Sequence, residues 1–116
     1  WIDRNLRLPH SKLFVFLYKN FMTINRLYKI ITDRIRISPA DSYVSDLVRS
    51  GQNRVAQKIG EEATEVVIAS LAQNKQALIL EMADLWFHSL ILLATKNINP
   101  KLILDELDCR HQNKAW

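Results

Sequence analysis

Two short acidic runs could do chemistry in this chain: Glu61-Glu62-x-x-Glu65 and Glu81-x-x-Asp84. Both lie in helix-forming, mostly apolar stretches, where a carboxylate has no evident structural task. Residues three or four apart share a helix face, so each run projects its acids as a cluster. If the two helices are antiparallel neighbours, the clusters face each other. The result is an oxygen-rich pocket suited to Mg²⁺, which takes carboxylates and keeps water and substrate phosphate as its remaining ligands. Phosphate chemistry run by metal ions inside a helical bundle is the expectation.

Helical geometry sharpens this. At about 100° per residue, with Glu61 at zero, Glu65 falls near ~40°, Glu62 near ~100°, Lys58 near ~60° and Arg54 near ~20°. An acidic ridge therefore has two cations one and two turns towards its N-terminus. The acids can hold metal while Lys58 and Arg54 meet phosphate oxygens. On the following helix Glu81, Asp84 and His88 share one narrow stripe of an otherwise apolar cylinder. Ionisable groups there are costly unless paired or metal-bound. The plainer alternatives are a solvated acidic face over 61–65, with Lys58 to Glu62 as an i,i+4 pair, and a buried, satisfied Asp84–His88 pair.

The elements that must position these groups read as all-α. With only two glycines and three prolines in 116 residues, long helices fit better than a many-turned β fold. Helices are expected over about 23–37, over 43–49 after an Asp41-Ser42 cap, from about 52 to 73, from about 75 to 96, and from Asn99-Pro100 to about Arg110. Asn74 is expected to end the third helix in a left-handed conformation. The fourth, with Trp86 and Phe87 as core residues, is apolar nearly all round and so buried. The fold class is a helical bundle of four to five helices. A chain this small covers such a helix poorly, which favours a homodimer.

Composition bounds the setting. The net charge is +4, but residues 1–21 hold Arg4, Arg7, Lys12 and Lys19 against Asp3, leaving the rest near balance. No basic footprint for nucleic acid is expected on the folded domain. The apolar run 13–18 is far short of the ~20 residues that span a bilayer, and no membrane partner is expected. Cys109 is the single cysteine, which excludes an intrachain disulfide and makes a reducing, cytoplasmic setting the default. Residues 1–21 read as an N-terminal extension of unknown role, with Met22 a natural start, and 22–116 as the domain.

The residues also resemble a family. Glu-Glu-x-x-Glu followed by Glu-x-x-Asp is similar to the all-α nucleoside-triphosphate pyrophosphatase superfamily, the MazG-like fold. The strings Ser42-Tyr43-Val44, Gln57-Lys58-Ile59-Gly60-Glu61-Glu62-Ala63-Thr64-Glu65-Val66-Val67-Ile68-Ala69, Glu81-Met82-Ala83-Asp84-Leu85-Trp86-Phe87-His88 and Glu106-Leu107-x-x-Arg110-His111 resemble phosphoribosyl-ATP pyrophosphohydrolase. That family catalyses the second step of histidine biosynthesis. The resemblance covers about residues 24–111. It implies Mg²⁺-dependent cleavage of a small-molecule nucleotide, phosphoribosyl-ATP, to phosphoribosyl-AMP and pyrophosphate. It implies Glu62, Glu65, Glu81 and Asp84 as metal ligands, and Glu61 as a further catalytic acid of the same motif, a ligand or a base. It places Lys58 and Arg110 at triphosphate positions and His88 behind the metal or at the substrate. Relatives fused behind a cyclohydrolase domain need cysteines and acids that residues 1–21 lack, so a stand-alone hydrolase is expected.

Two other readings remain open from the sequence. One is a house-cleaning nucleoside-triphosphate pyrophosphatase on the same fold. The other is a helical dimerisation module without catalysis, which would bind no Mg²⁺ and tolerate Glu62→Gln.

Overall fold

A computed structural model describes residues 21–116, so the expectation of a separate arm over 1–21 lies, Phe21 apart, outside the described residues. Among the described residues there are five helices and no strand: α1 (Ile24–Ile37), α2 (Tyr43–Arg49), α3 (Gln52–Ala72), α4 (Lys75–Thr95) and α5 (Lys101–Gln112). The all-α expectation holds, with boundaries within two residues of those read from the sequence.

Local chemistry accounts for the breaks. Thr23 caps α1 by accepting the Arg26 N–H at 3.1 Å. Ser38 closes it in the left-handed region, where Pro39 bars a further turn. Ser42 caps α2. Gly51, at φ +104°, turns the chain from α2 into α3 through a conformation that side-chain-bearing residues rarely adopt. Asn74 differs from expectation. It is extended (φ −98°, ψ 173°), and its side chain accepts the Ala77 N–H at 2.9 Å. It starts α4 and does not close α3, because an amide oxygen satisfies a free N-terminal donor that nothing else reaches. Asn74→Ala should cost about 1 kcal/mol and lower the melting temperature by roughly 4–8 °C. An unchanged melt would show that the cap is dispensable. Asn99 caps α5, accepting the Lys101 N–H at 2.9 Å, while Pro100 already has helical angles.

Two residues join α3 to α4. A link that short makes antiparallel neighbours, each 21 residues or about 31 Å long. The hairpin they form is the frame of the domain. Helix α1 packs on α4, and α2 bridges α1 and α3. Ile31, Val44, Leu47, Val55, Phe87 and Ile91 form most of the core.

Helix α4 is also long and apolar enough to cross a bilayer by length and composition alone. It packs between α1 and α3 with Asp84 and His88 buried at mid-length, and a third of its apolar stretch is buried, so the expected all-round burial is met only on the sides that face its own chain. Phe87 is buried as expected, but Trp86 is 58% exposed. A helix packed on two sides by its own chain leaves a third side bare, and Trp86 is on it. Helix α5 buries no residue, although Ile103, Leu104 and Leu107 line an apolar cleft of about 390 Å³ with Trp86 and Leu93.

Candidate metal and phosphate site

Val55, Glu62 and Ala69 are the buried residues of α3. They are seven apart, which brings them back to one face, and that face meets α4. Glu62 is therefore in the seam of the hairpin at only 8% exposure. Across from it, α4 buries Asp84, Phe87, His88, Leu90, Ile91 and Ala94, a set in which separations of three and four residues recur and again mark one side of the helix. Ligand oxygens of Glu62, Glu81 and Asp84 come within 4.8 Å of one another. Three carboxylates from two facing helices, two of them buried, are the donor set of a hard dication. Carboxylate oxygens are the ligands that Mg²⁺ takes, so the chemistry of the set fits that ion.

The other expected site residues fall around this cluster. Lys58 Nζ is 2.9 Å from Glu62 Oε1 and 3.4 Å from Glu61 Oε2. Burial pulls its pKa down, but the hydrogen bond to Glu62 and the surrounding negative charge more than offset this, so the net shift is upward and the ammonium stays charged. Arg54 Nη1 and Gln57 Nε2 donate to Glu61 Oε1 at 2.9 and 3.0 Å. The Arg54 guanidinium, with Lys58, holds the Glu61 carboxyl below the usual range. Thus the ridge read from the sequence divides. Glu62 turns inward to the cluster, whereas Glu61, about 100° round the helix, stays at the surface with Arg54.

Glu65 is exposed and borders a shallow depression with Glu61, Gln57 and Thr64. It is not one of the three acids within 4.8 Å. Arg110 is on α5, bonded to Glu106 at 2.8 Å, and no residue of α5 belongs to the cluster. His88 is 1% exposed. Its Nδ1 is 2.7 Å from the Asp84 carbonyl oxygen, and its Nε2 is 2.7 Å from the Tyr43 hydroxyl. Both ring nitrogens are engaged, so the imidazole lies behind the carboxylates and not at their open side. Burial pushes the Tyr43 phenol pKa up, and the Glu62 and Asp84 charges push the same way.

Gln57 and Tyr43 stand in the strings that carry the family resemblance, but sequence reasoning assigned neither a role. Gln57 was recoverable, being four residues before Glu61. Tyr43 was not, since 45 residues separate it from His88 and only the tertiary fold joins them.

Residues 24–111 match the family model for phosphoribosyl-ATP pyrophosphohydrolase. The chain is similar to the phosphoribosyl-ATP pyrophosphatase of Saccharolobus solfataricus, 45% identical over 89 residues, which cover 77% of this chain and 95% of the relative. It is similar to that of Saccharolobus islandicus at 44% with the same coverage. To that of Sulfolobus acidocaldarius it is 42% identical over 87 residues, 75% of this chain and 92% of the relative. The matched span holds the paired helices, the three clustered acids and the cations beside them, and on this agreement of sequence the chain belongs to the phosphoribosyl-ATP pyrophosphohydrolase family.

Proposed function

We propose that this chain hydrolyses phosphoribosyl-ATP between its α and β phosphates, releasing phosphoribosyl-AMP and pyrophosphate in the second step of histidine biosynthesis. The observation that carries the reading is the convergence of Glu62, Glu81 and Asp84 to within 4.8 Å, with Lys58 beside them. In this reading these acids hold Mg²⁺, with Glu65 swinging in from the surface as a fourth ligand. The ion supplies charge neutralisation of the phosphates and a more acidic bound water.

The chain's own residues do the rest. Arg54 and Lys58 rest on Glu61 in the free protein. An incoming triphosphate competes for both cations, because phosphate oxygens accept charge-assisted hydrogen bonds as well as a carboxylate does. As they move to phosphate, Glu61 keeps only the Gln57 amide as a donor and becomes able to accept the proton of the attacking water. The negative charge of the leaving pyrophosphate then builds up beside Lys58 and Arg54, which favours the transition state over the ground state.

The bare apolar side of the bundle supports a homodimer. Ile79 and Trp86 of α4 and Ile103 and Leu104 of α5 are each between 47% and 58% exposed, an extent unusual for a monomer. In this reading a second copy covers them, and Arg110 on the otherwise bare α5 reaches triphosphate in the partner's site. A cytoplasmic location, with no nucleic-acid or membrane partner, completes the proposal.

Substrate preference tests it. Pyrophosphate release from phosphoribosyl-ATP should exceed that from ATP and from a panel of deoxynucleoside triphosphates by at least ~10²-fold in kcat/KM, a little under 3 kcal/mol of discrimination. Equal rates would favour the house-cleaning alternative. The division at residue 21 is also a proposal, supported by the position of every assigned group at or beyond Tyr43. Removing residues 1–21 should leave kcat/KM within about tenfold, or ~1.4 kcal/mol. A larger fall with an intact melt would make the extension part of the active site or its dimer frame.

A further inference from the structure

The hydrogen bonds around His88 form a directed chain that the reaction outlined above does not use. A carbonyl oxygen can only accept, so His88 Nδ1, 2.7 Å from the Asp84 carbonyl, must carry the ring proton. Nε2 is 2.7 Å from the Tyr43 hydroxyl, which donates to it in the tautomer that carries its single proton on Nδ1. The imidazole is 1% exposed and clamped between α2 and its own helix. Tyr43 also packs edge-on to it, ring centres 5.6 Å apart.

The clamp matters because of what lies next to it. His88 Nδ1 is 4.0 Å from Glu62 Oε1, just beyond hydrogen-bonding distance. That same oxygen is taken by Lys58 at 2.9 Å. A small rotation of the ring would turn its N–H from the backbone carbonyl to the Glu62 carboxylate, a stronger acceptor. Glu62 would then be bonded from two sides and drawn off the Glu81–Asp84 pair. The Tyr43 hydroxyl opposes this by holding Nε2 in place from the far side.

The geometry points to Tyr43 as a positioning residue: its hydroxyl fixes the tautomer and orientation of His88, and so keeps Glu62 directed at Glu81 and Asp84 for a divalent cation. This rests on the proposed metal role of those three acids. Tyr43 makes its contribution through His88 and touches neither the cation nor the reacting phosphates. Partners placed in this way around metal ligands commonly change affinity or activity by 10–100-fold.

The test begins with wild-type protein. Long-range ¹H–¹⁵N spectra, with the His88 signals assigned by their loss in His88→Gln, should show a neutral ring protonated at Nδ1. Tyr43→Phe keeps the aromatic ring and removes only the hydroxyl. It should change that tautomer pattern, weaken Mg²⁺ binding measured by calorimetry on the nucleotide-free protein about tenfold, and lower kcat about tenfold. KM for phosphoribosyl-ATP at saturating Mg²⁺ should stay within about twofold, and the melt should be nearly unchanged. An Nε2-protonated or doubly protonated His88 in wild type overturns the inference, and needs no variant to fold. So does a Tyr43→Phe protein with unaltered Mg²⁺ affinity. If wild type binds Mg²⁺ with this dependence on Tyr43 yet does not cleave phosphoribosyl-ATP, the substrate reading fails and the positioning role stands. If wild type binds no Mg²⁺, both fail.

Discussion

Glu62→Gln should lower kcat by at least ~10³-fold, about 4 kcal/mol of transition-state stabilisation, while leaving the helical fold intact. Glu62 is the acid in which the two halves of the site meet, facing Glu81 and Asp84 on one side and Lys58 on the other. Two effects on stability oppose each other. The substitution removes a mostly buried pair with Lys58, which is left with Glu61 at 3.4 Å. It also removes repulsion among three carboxylates. At an effective dielectric of 20, Glu81 and Asp84 each repel Glu62 by about 3–4 kcal/mol at the cluster's limiting separation, and on the same scale Lys58 at 2.9 Å attracts it by about 5–6 kcal/mol. The two effects nearly cancel, so in the absence of divalent cation the variant should melt close to wild type. Added Mg²⁺ should raise the melting temperature of wild type and leave that of the variant unchanged. Unfolding seen by circular dichroism would assign Glu62 a structural role, and full activity would leave only a dimerisation module.

Trp86→Glu should convert a dimer to a monomer without unfolding it. Trp86 is 58% exposed within one chain, so the core of Ile31, Phe87 and Ile91 does not depend on it. Burying an indole against a partner contributes roughly 2–3 kcal/mol, and two-fold symmetry counts the change twice. Association should therefore weaken by roughly 4–6 kcal/mol, a factor of about 10³ or more. Light scattering at micromolar concentration should give twice the chain mass for wild type and the chain mass for the variant, with equal helicity. A monomeric wild type would contradict the assembly. If Arg110 reaches the partner's site as proposed, the monomer should also show a raised KM.

What could be read from the sequence followed from local rules. The acids of 61–65 and 81–84 were legible because a helix has a fixed period, and the short link at Gln73-Asn74 makes α3 and α4 face each other. That Glu62 turns inward, and not Glu61, depends on the seven-residue recurrence of Val55, Glu62 and Ala69, which the angles about Glu61 alone did not bring out. Trp86 and Phe87 looked equivalent in an all-apolar helix. Only the positions of α1 and α3 decide which is buried, and that is a tertiary choice. Asn74 suits either end of a helix by composition, and the competition for free N–H groups at the start of α4 settled it. The tie between Tyr43 and His88 has no local signal, because neither spacing nor periodicity joins α2 to α4.

The central claim is metal-dependent phosphoanhydride cleavage by carboxylates held in the α3–α4 hairpin. Its most direct test is pyrophosphate release from phosphoribosyl-ATP by protein stripped with a chelator, before and after Mg²⁺ is restored. Turnover should be near background in the stripped protein and recover on adding Mg²⁺ with one pyrophosphate formed per phosphoribosyl-AMP, with no recovery in Glu62→Gln. Turnover that survives stripping, or Glu62→Gln that recovers with Mg²⁺ as wild type does, would contradict it.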